Sequence, residues 1–381
     1  MPTPRALVAL RVVVVLAQLA GAVAASSSPP TPAARAAQTG RFLLYDVAFS
    51  EQVNKQRRAL MFYLDLAMKL ERTLVLPRTR LLRRQPGSGV RFARDAEYAP
   101  WGRLFNKTLL SELHAVMELE EYEALHDAST AVHVSLKHRD CSSSEAATAV
   151  PFNGLARDLR VRSSLCEQGL QYRPHELRER FPNAGALVFG DAFDQLAMQQ
   201  ALQLRPWVRF ERGVYEAAAA FVARAFGGRP FVALHWRRTD FLMVRASQPG
   251  VLQPAQALIR HARALMRQHG AEHVYLATDS DDARELREVD AALSPARYTT
   301  TSADVGAGAG GGAAAGGSEL LGKTFTANVE IAICAMAAGF LGTKSSSFSL
   351  AIREERDAVF GHAPQTSADM DTLPPRAKDE L

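Results

Sequence analysis

The chain has 381 residues, and its 47% of hydrophobic and 22% of charged residues are typical of globular proteins, which excludes wholesale disorder, a collagen-like chain or one long coiled coil. At about 150 residues per domain, this length predicts two or three domains. The formal net charge of +5 is too small to indicate a nucleic-acid-binding surface, and three cysteines exclude a disulfide-dense scaffold.

The first forty residues have the composition of a leader. An apolar run over 12–19 follows a basic start and precedes Ala22-Val23-Ala24, which is typical of a secretory signal peptide, so we expect residues 1–24 to be removed. Residues 25–40 are rich in Ala, Ser, Pro and Thr, and we expect them to be disordered. The alternative, an uncleaved anchor, is disfavoured because a membrane span needs about 20 apolar residues. We expect no membrane span in the mature chain.

The last four residues, Lys378-Asp379-Glu380-Leu381, form the retrieval signal of soluble proteins of the endoplasmic reticulum. Together with the predicted signal peptide, they predict a protein of the endoplasmic reticulum lumen that binds the KDEL receptor. Cysteines can pair in this oxidising compartment. Cys141 and Cys166 lie in a polar, loop-like stretch and are expected to form a disulfide, whereas Cys334 lies in an apolar helical pattern and is expected to be free. Asn106 begins an N-glycosylation sequon. A sequon marks a possible site and does not decide whether a glycan is attached.

Short apolar runs alternate with segments of helical periodicity along the first half of the chain. The apolar runs predict strands at 42–47, 73–77, 131–136 and 186–190, and helical spacing predicts a helix from about 54 to 72. Strand–helix–strand order is typical of a parallel sheet. We therefore expect one β/α domain over residues 41–205.

The same pattern restarts after Pro206-Trp207. It predicts helices and strands in alternation, with helices at 213–227, 254–269, 281–289 and 326–338 and strands at 230–235, 273–278 and 339–342. We expect a second β/α domain over 206–365, interrupted by a flexible Gly/Ala insertion at 306–317 and followed by a tail over 366–381. Two such domains that face each other across a cleft would bind ligands at the carboxyl ends of their strands.

Two segments of the second domain combine polar side chains with a strand end. His235-Trp236-Arg237-Arg238-Thr239-Asp240 follows a predicted strand, and a guanidinium there suits a pyrophosphate, although a solvated Arg–Asp loop is the alternative. Gly342–Ser349 lies between a strand and a helix that begins near Ser346. Free N–H groups at that helix start would bind phosphate, and the serines could equally cap the helix.

Ala277-Thr278-Asp279-Ser280-Asp281-Asp282 contains the Asp-x-Asp pattern that holds a divalent metal ion in some glycosyltransferases. We favour a different interpretation, because these aspartates lie where a strand ends and a charged helix begins. Helix capping explains them there. No His/Cys metal spacing is present.

Several motifs occur in the same order as in one known family. These motifs are Arg41–Val47, Glu51–Asn54, Pro100–Leu104, His235–Phe241, Val274–Asp279, Phe340–Thr343 and Ser346–Ser349. Over roughly 41–362 the chain resembles the GDP-fucose protein O-fucosyltransferases, and particularly the branch that modifies thrombospondin type 1 repeats. The resemblance implies an α/β fold of the GT-B type, with two Rossmann-like domains facing each other across a cleft. It also implies GDP-fucose as donor, folded secretory protein domains as acceptors, inversion at the anomeric carbon and no obligatory metal or other cofactor.

The resemblance also implies roles for individual residues. Arg237 would bind the β-phosphate and stabilise the departing GDP, and Glu51 would be the catalytic base. The other implied donor-binding residues are His235 and Asp240 at the nucleotide, Ser346, Ser347 and Phe348 at the phosphates, Glu330 at the guanine base and Asn54 in the first loop.

Chemistry supports Glu51 independently, because displacement at an anomeric carbon needs a base for the acceptor hydroxyl proton. The alternative is that Glu51 only favours the N-terminus of the next helix.

Two other functions of the chain stay open at this point. One is a transferase of the same fold that acts on another protein domain or a glycan, and the other is an inactive, lectin-like quality-control protein.

Overall fold

A computed structural model describes residues 40–47, 52–82, 96–125, 130–135, 143, 146–155, 157–166, 173–192, 198–299 and 318–370. The predicted signal peptide, Glu51, Cys141, the Gly/Ala insertion and the Lys-Asp-Glu-Leu end lie outside the described residues, so the predictions that rest on them stay predictions. The described residues divide into two compact units, here called the N-terminal unit (up to Glu211) and the C-terminal unit (from Arg212).

The N-terminal unit is built on a parallel sheet. Its strands are β1 (Phe42–Val47), β2 (Thr73–Leu76), β3 (Thr79–Leu81), β4 (Glu97–Ala99), β5 (Val116–Glu118), β6 (Ala131–Ser135), β7 (Thr148–Val150), β8 (Leu159–Val161), β9 (Ser163–Cys166) and β10 (Ala186–Ala192). Its helices are α1 (Val53–Leu70), α2 (Lys107–Leu113), α3 (Leu119–Leu125) and α4 (Pro174–Arg180), with 3-10 turns at Trp101–Arg103 and Met198–Trp207. The parallel strands follow the order β5-β2-β1-β10-β6-β9, and β3–β4 and β7–β8 form antiparallel pairs.

Helix α1 closes the core over this sheet. Its apolar residues recur at helical spacing, and Leu60, Tyr63 and Leu64 are buried. The ring of Tyr63 stacks on Tyr45 of β1 at a centroid distance of 4.1 Å. Each large apolar side chain buried in this way contributes about 1.5–3 kcal/mol. The helix ends where Glu71 adopts a left-handed conformation with φ of 54°.

The C-terminal unit is a second parallel sheet with helices on both faces. Its elements in chain order are α5 (Arg212–Phe226), β11 (Phe231–Trp236), α6 (Phe241–Val244), α7 (Ala255–His269), β12 (His273–Thr278), α8 (Ala283–Leu293), β13 (Arg297–Tyr298), α9 (Glu319–Met336), β14 (Gly339–Gly342), α10 (Ser347–Ala358), a 3-10 turn at Pro364–Thr366 and β15 (Ser367–Asp369). The strand order is β13-β12-β11-β14-β15, with every pair parallel.

Burial on both faces explains why the central strands of this sheet are continuously apolar. Val232, Leu234 and Leu276 belong to the core cluster that contains the apolar side of α7. The intervening Tyr275 points the other way and contacts Phe221 of α5. Both sides of β11 and β12 are therefore covered, as in doubly wound α/β folds.

The fold class predicted from the sequence, α/β with two Rossmann-like units, is confirmed. The predicted central strands are present, and the helices near 54–72, 213–227 and 254–269 lie within two residues of their predicted bounds. The helix predicted at 326–338 is wrong at its start, because α9 begins at Glu319, where Ser318 accepts a hydrogen bond from the Leu321 N–H. Cys334 is fully buried in α9 as a free thiol, as predicted, and burial raises its pKa well above the usual value.

No helix in the described part of the chain combines the length and the hydropathy that crossing a membrane requires.

Arg356 is buried beneath the end of α9, with an exposed fraction of 1%. Its guanidinium donates to the carbonyl oxygen of Ala337 at 2.6 Å and to those of Cys334 and Ala335 at 3.3 Å. It also donates to the hydroxyl of Ser367 at 2.8 Å. Burial lowers the pKa of Arg356 to about 10, so the side chain remains cationic at neutral pH. It therefore satisfies carbonyl groups that the end of a helix leaves without partners.

We expect Arg356→Met to destabilise the C-terminal unit strongly, because each buried polar group that loses its partner costs about 1–3 kcal/mol. The matched control is Arg353→Met on the same helix, since Arg353 is 32% exposed and pairs with Asp369. A partly exposed pair of this kind is worth about 0–1 kcal/mol. Urea unfolding of both variants checks the prediction, and equal losses for the two would contradict it.

Candidate functional site

The carboxyl edge of the C-terminal sheet gathers the polar segments that the sequence singled out. β11 is the central strand, and the chain proceeds from β11 to β12 on one side and from β14 to β15 on the other. The strand order therefore reverses between β11 and β14. In open α/β sheets this reversal opens a crevice at the carboxyl ends of the strands, where ligands bind. The segment after β11 carries Arg237 and Asp240, and the segment after β14 leads to Ser346 and Ser347.

Thr343 joins the two segments at this point. Its side chain is buried, and its hydroxyl donates to the carbonyl oxygen of His235 at 2.8 Å. The same hydroxyl oxygen accepts a hydrogen bond from the backbone N–H of Arg237 at 2.9 Å. One threonine thus fixes the backbone of Arg237 relative to the neighbouring strand.

The guanidinium of Arg237 lies between two carboxylates. Its Nε donates to Asp240 Oδ1 at 2.8 Å and its Nη2 to Asp240 Oδ2 at 3.1 Å, a bidentate pair. Its Nη1 lies 3.1 Å from Asp279 Oδ2. A guanidinium carries five N–H donors, so two hydrogen bonds to Asp240 leave donors for a ligand. Arg237 and Asp240, both predicted site residues, are therefore in direct contact.

Arg238 has a different environment from its neighbour. Its guanidinium lies 5.0 Å from the ring of Trp236, and its Nε donates to Glu285 Oε2 at 3.0 Å. Both contacts tie Arg238 to the surrounding structure. Of the two arginines in the predicted anion-binding motif, Arg237 is thus the one with the candidate ligand-binding role.

His235 is buried, and its Nδ1 lies 2.7 Å from the Ser349 hydroxyl oxygen. Its ring stacks on Phe348 at a centroid distance of 4.7 Å. Burial, reinforced by the charge of Arg237, lowers the pKa of His235 to about 3, while Asp279 acts in the opposite direction. His235 is therefore neutral at physiological pH. The structure brings the predicted residues His235 and Phe348 into contact.

We expect the free energy of unfolding to decrease as the pH falls below about 6.5. The unfolded chain binds a proton at His235 near pH 6.5, and the folded chain binds it only near pH 3, so acid favours unfolding. Between these values the loss amounts to about 2 kcal/mol at pH 5. Denaturation from pH 8 to 5 checks this, because His235→Asn should remove this part of the loss. The loss that remains belongs to other histidines whose pKa burial lowers, such as His114 and His269. The matched control His175→Asn, at an exposed histidine, should leave it unchanged.

The start of α10 leaves backbone donors available. Ser346 precedes the helix and is 7% exposed, but its side chain makes no capping hydrogen bond. The capping interpretation of this serine is therefore wrong for its hydroxyl. Ser347 and Phe348 are half-buried in the first turn. Gly342 permits the close approach of β14 to this turn, because a Cβ there would lie 2.7 Å from the Ser349 Cβ.

The remaining predicted residues lie elsewhere in the two units. Glu330 is half-buried on α9 of the C-terminal unit. Asn54 lies in the first turn of α1 in the N-terminal unit, and its Oδ1 is buried without a hydrogen bond to any residue that the structure describes. Asn106 precedes α2, and its Oδ1 accepts a hydrogen bond from the Leu109 N–H at 2.9 Å. The roles assigned to these residues stay predictions.

The capping interpretation of the Asp279–Asp282 segment is correct for Asp282 and wrong for Asp279. Asp282 Oδ1 accepts from the N–H groups of Arg284 and Glu285 at the start of α8. The carboxylate of Asp279 instead reaches the segment after β11, where Oδ1 accepts from the Arg238 N–H at 2.7 Å. Sequence reasoning missed Asp279 as a site residue. The available signal was its position directly after a strand adjacent to β11.

A doubly wound α/β unit with a crevice at the switch point is typical of nucleotide-binding domains. The chain belongs to the GDP-fucose protein O-fucosyltransferase family, whose profile matches residues 49–359.

Several curated relatives share the family name with a more specific designation. The chain is similar to GDP-fucose protein O-fucosyltransferase 2 of Caenorhabditis elegans, with 29% identity over 139 residues that cover 35% of this chain and 28% of the relative. The proteins of the same name from Toxoplasma gondii and Homo sapiens are 33% and 31% identical, over 37% and 38% of this chain and 20% and 29% of the relatives. The matches thus span less than a third of these relatives.

Solved structures share the fold. POFUT1 in complex with GDP-fucose aligns with a TM-score of 0.63 at 18% identity and covers 87% of this chain and 99% of that chain. POFUT1 in complex with GDP aligns with a TM-score of 0.64 at 17% identity, over 87% and 98% of the two chains. The similarity covers both α/β units of this chain at a sequence identity that bears on the fold alone.

Proposed function

We propose that the chain is a peptide O-fucosyltransferase that moves fucose from GDP-fucose to Ser or Thr hydroxyls of folded thrombospondin type 1-like domains. The observation that carries the proposal is the anchored guanidinium of Arg237 at the switch point of a sheet, in a chain of this family. The curated relatives are named for the same activity, which supports the assignment.

The proposed reaction is a direct displacement at the anomeric carbon of fucose. The acceptor oxygen forms the new bond from the face opposite to GDP, the bond from the anomeric carbon to the β-phosphate oxygen breaks, and the configuration inverts. The bonding electrons remain on the GDP oxygen, and the acceptor proton passes to a base, which we assign to Glu51. Negative charge thus develops at the β-phosphate, where a preorganised cation lowers the barrier most.

Residues of the C-terminal unit suit this charge development. Arg237 retains donors beyond those that Asp240 uses, and a guanidinium can donate two parallel hydrogen bonds to a phosphate. The N–H groups at the start of α10, from Ser347 onward, add the favourable end of a helix dipole, whereas the Ser346 N–H donates to the Thr343 carbonyl oxygen. We assign both to the diphosphate. In this role they replace a divalent metal ion.

Other residues would bind the rest of the donor. His235 and Phe348 form one packed group beside the proposed phosphate site, and His235 stays neutral there. We assign Glu330 to the guanine base, since a carboxylate accepts hydrogen bonds from its N–H groups. We assign Asn54 to the sugar, because its buried Oδ1 has no partner among the described residues.

We place the reaction in the endoplasmic reticulum lumen. The support is the sequence pattern of a signal peptide at 1–24 and the Lys378–Leu381 retrieval signal. Folded secretory domains are present in that compartment, which suits an acceptor that is recognised after it folds.

The test is fucose transfer from labelled GDP-fucose by the purified chain to four samples: a folded thrombospondin type 1 repeat, an epidermal-growth-factor-like domain, free glycans and buffer alone. We expect label on the first sample only. Label on another protein domain or on a glycan would change the acceptor, and donor binding without transfer to any sample would identify an inactive binding protein. Absence of GDP-fucose binding would overturn the proposal.

A further inference from the structure

We propose that Asp279 is a positioning residue for this transfer, because its carboxylate holds the guanidinium of Arg237 and the backbone that follows it. The inference rests on the proposed function of Arg237 at the leaving diphosphate.

One carboxylate contacts three consecutive residues. Asp279 Oδ1 accepts from the backbone N–H of Arg238 at 2.7 Å, and Oδ2 accepts from the hydroxyl of Thr239 at 2.5 Å. The same Oδ2 lies 3.1 Å from Nη1 of Arg237. The contacts thus fix both the side chain of Arg237 and the path of the segment that carries it.

The anchor of Asp279 is independent of that segment. β12 runs parallel to β11 with Trp236 opposite Thr278, so residue 279 leaves the neighbouring strand end. Thr278 reinforces this junction, since its hydroxyl donates to the carbonyl oxygen of Trp236 at 2.7 Å. Asp279 therefore fixes the segment after β11 relative to the sheet.

The two carboxylates at Arg237 have different consequences. Asp240 lies three residues after Arg237 in the same segment, so their bidentate pair moves with that segment. Asp279 comes from another strand and can orient the guanidinium relative to the sheet and to α10. Its negative charge also opposes a diphosphate, so it does not serve donor affinity. We infer that its benefit is orientation of Arg237.

If Asp279 orients Arg237 and does not serve donor affinity, its substitution should have different effects on turnover and on nucleotide binding. In Asp279→Asn the side chain keeps its size, but it loses the charge that holds Arg237 and the repulsion that opposes GDP. We expect kcat to fall by about tenfold to a hundredfold, since misplacement by ~1 Å can cost ~10²-fold. GDP affinity, measured by calorimetry, should stay the same or increase. A purely structural residue would weaken both, so normal kcat, or reduced affinity in step with kcat, would overturn the inference.

The matched control is Asp281→Asn, which makes the same chemical change two residues away at an exposed position. It should alter neither kcat nor GDP affinity. A second line of test uses the partner hydroxyl: Thr239→Val removes the donor to Asp279 Oδ2, and Thr239→Ser restores it. We expect a several-fold loss of kcat in the valine variant and recovery in the serine variant. Equal kcat for the two would count against the contact.

A double-mutant cycle with Arg237→Ala isolates the coupling. If Asp279 acts through Arg237, Asp279→Asn should reduce kcat little further in the Arg237→Ala background. The shift in melting temperature of the double variant should likewise be smaller than the sum of the two single shifts. Additive effects in either measurement would overturn the inference. The melting measurement needs no activity, so it decides the coupling even if the wild-type chain transfers no fucose and the proposed function fails.

Discussion

Arg237→Ala should lower kcat for fucose transfer by about 10²–10³-fold while the protein remains folded, because loss of one preorganised electrostatic group has an effect of this size. The physical reason is the charge that develops on GDP as the bond to fucose breaks. Thr343 and two carboxylates hold Arg237 at the edge where that charge is proposed to appear. Initial rates at saturating GDP-fucose, together with circular dichroism of the variant, measure the effect.

Two further variants sharpen this prediction. Arg237→Lys should recover only part of the activity, since an ammonium group cannot donate two parallel hydrogen bonds. Arg238→Ala is the control, because its side chain is committed to Trp236 and Glu285. The Arg238→Ala variant should have a lower melting temperature, while its kcat stays close to the wild-type value. Turnover near the wild-type value in Arg237→Ala would remove this residue from the mechanism.

Glu51→Gln is expected to lower kcat by about 10²–10⁴-fold with little change in donor affinity, which is the signature of a lost general base. Glutamine keeps the size and hydrogen-bonding capacity of the side chain but cannot take the acceptor proton. Glu51 lies outside the described residues, so this prediction depends on the sequence resemblance and on the need of the reaction for a base. Calorimetry with GDP-fucose and rates on a folded thrombospondin repeat measure the two quantities.

The same variant distinguishes the alternative role of Glu51. If the carboxylate only favours the N-terminus of the following helix, its loss costs about 0.3–1 kcal/mol of stability. The melting temperature would then fall while kcat stayed normal. That result would leave the catalytic base unassigned.

Central strands could be predicted from the sequence because burial on both faces gives a continuous apolar run. Long helices could be predicted because burial of one side gives apolar residues at helical spacing. β11 and β12 are continuous apolar runs, and α7 has clear helical periodicity. Edge strands gave no such signal. β15 is only Ser367-Ala368-Asp369 and pairs with β14 along one side, so its residues need not be apolar.

Site residues divide in a similar way. Arg237 and Asp240 could be paired from the sequence, because they are three residues apart in one segment. The contact between Asp279 and Arg237 depends on which strands are neighbours, and local sequence pointed to helix capping instead. The absent cap at Ser346 also needed coordinates, since a serine directly before a helix favours a cap by residue type alone and this hydroxyl makes none.

The strand order has a consequence for folding during synthesis. In each unit the central strand pairs early on one side, β1 with β2 and β11 with β12. Its other partner comes much later, since Phe42 pairs with Ala186 and Val232 with Gly339. At about 5–20 residues per second, one edge of each central strand waits on the order of ten seconds for its partner. An apolar strand with an open edge is a template for wrong pairing. Newly made chains should therefore depend on chaperones during these two intervals.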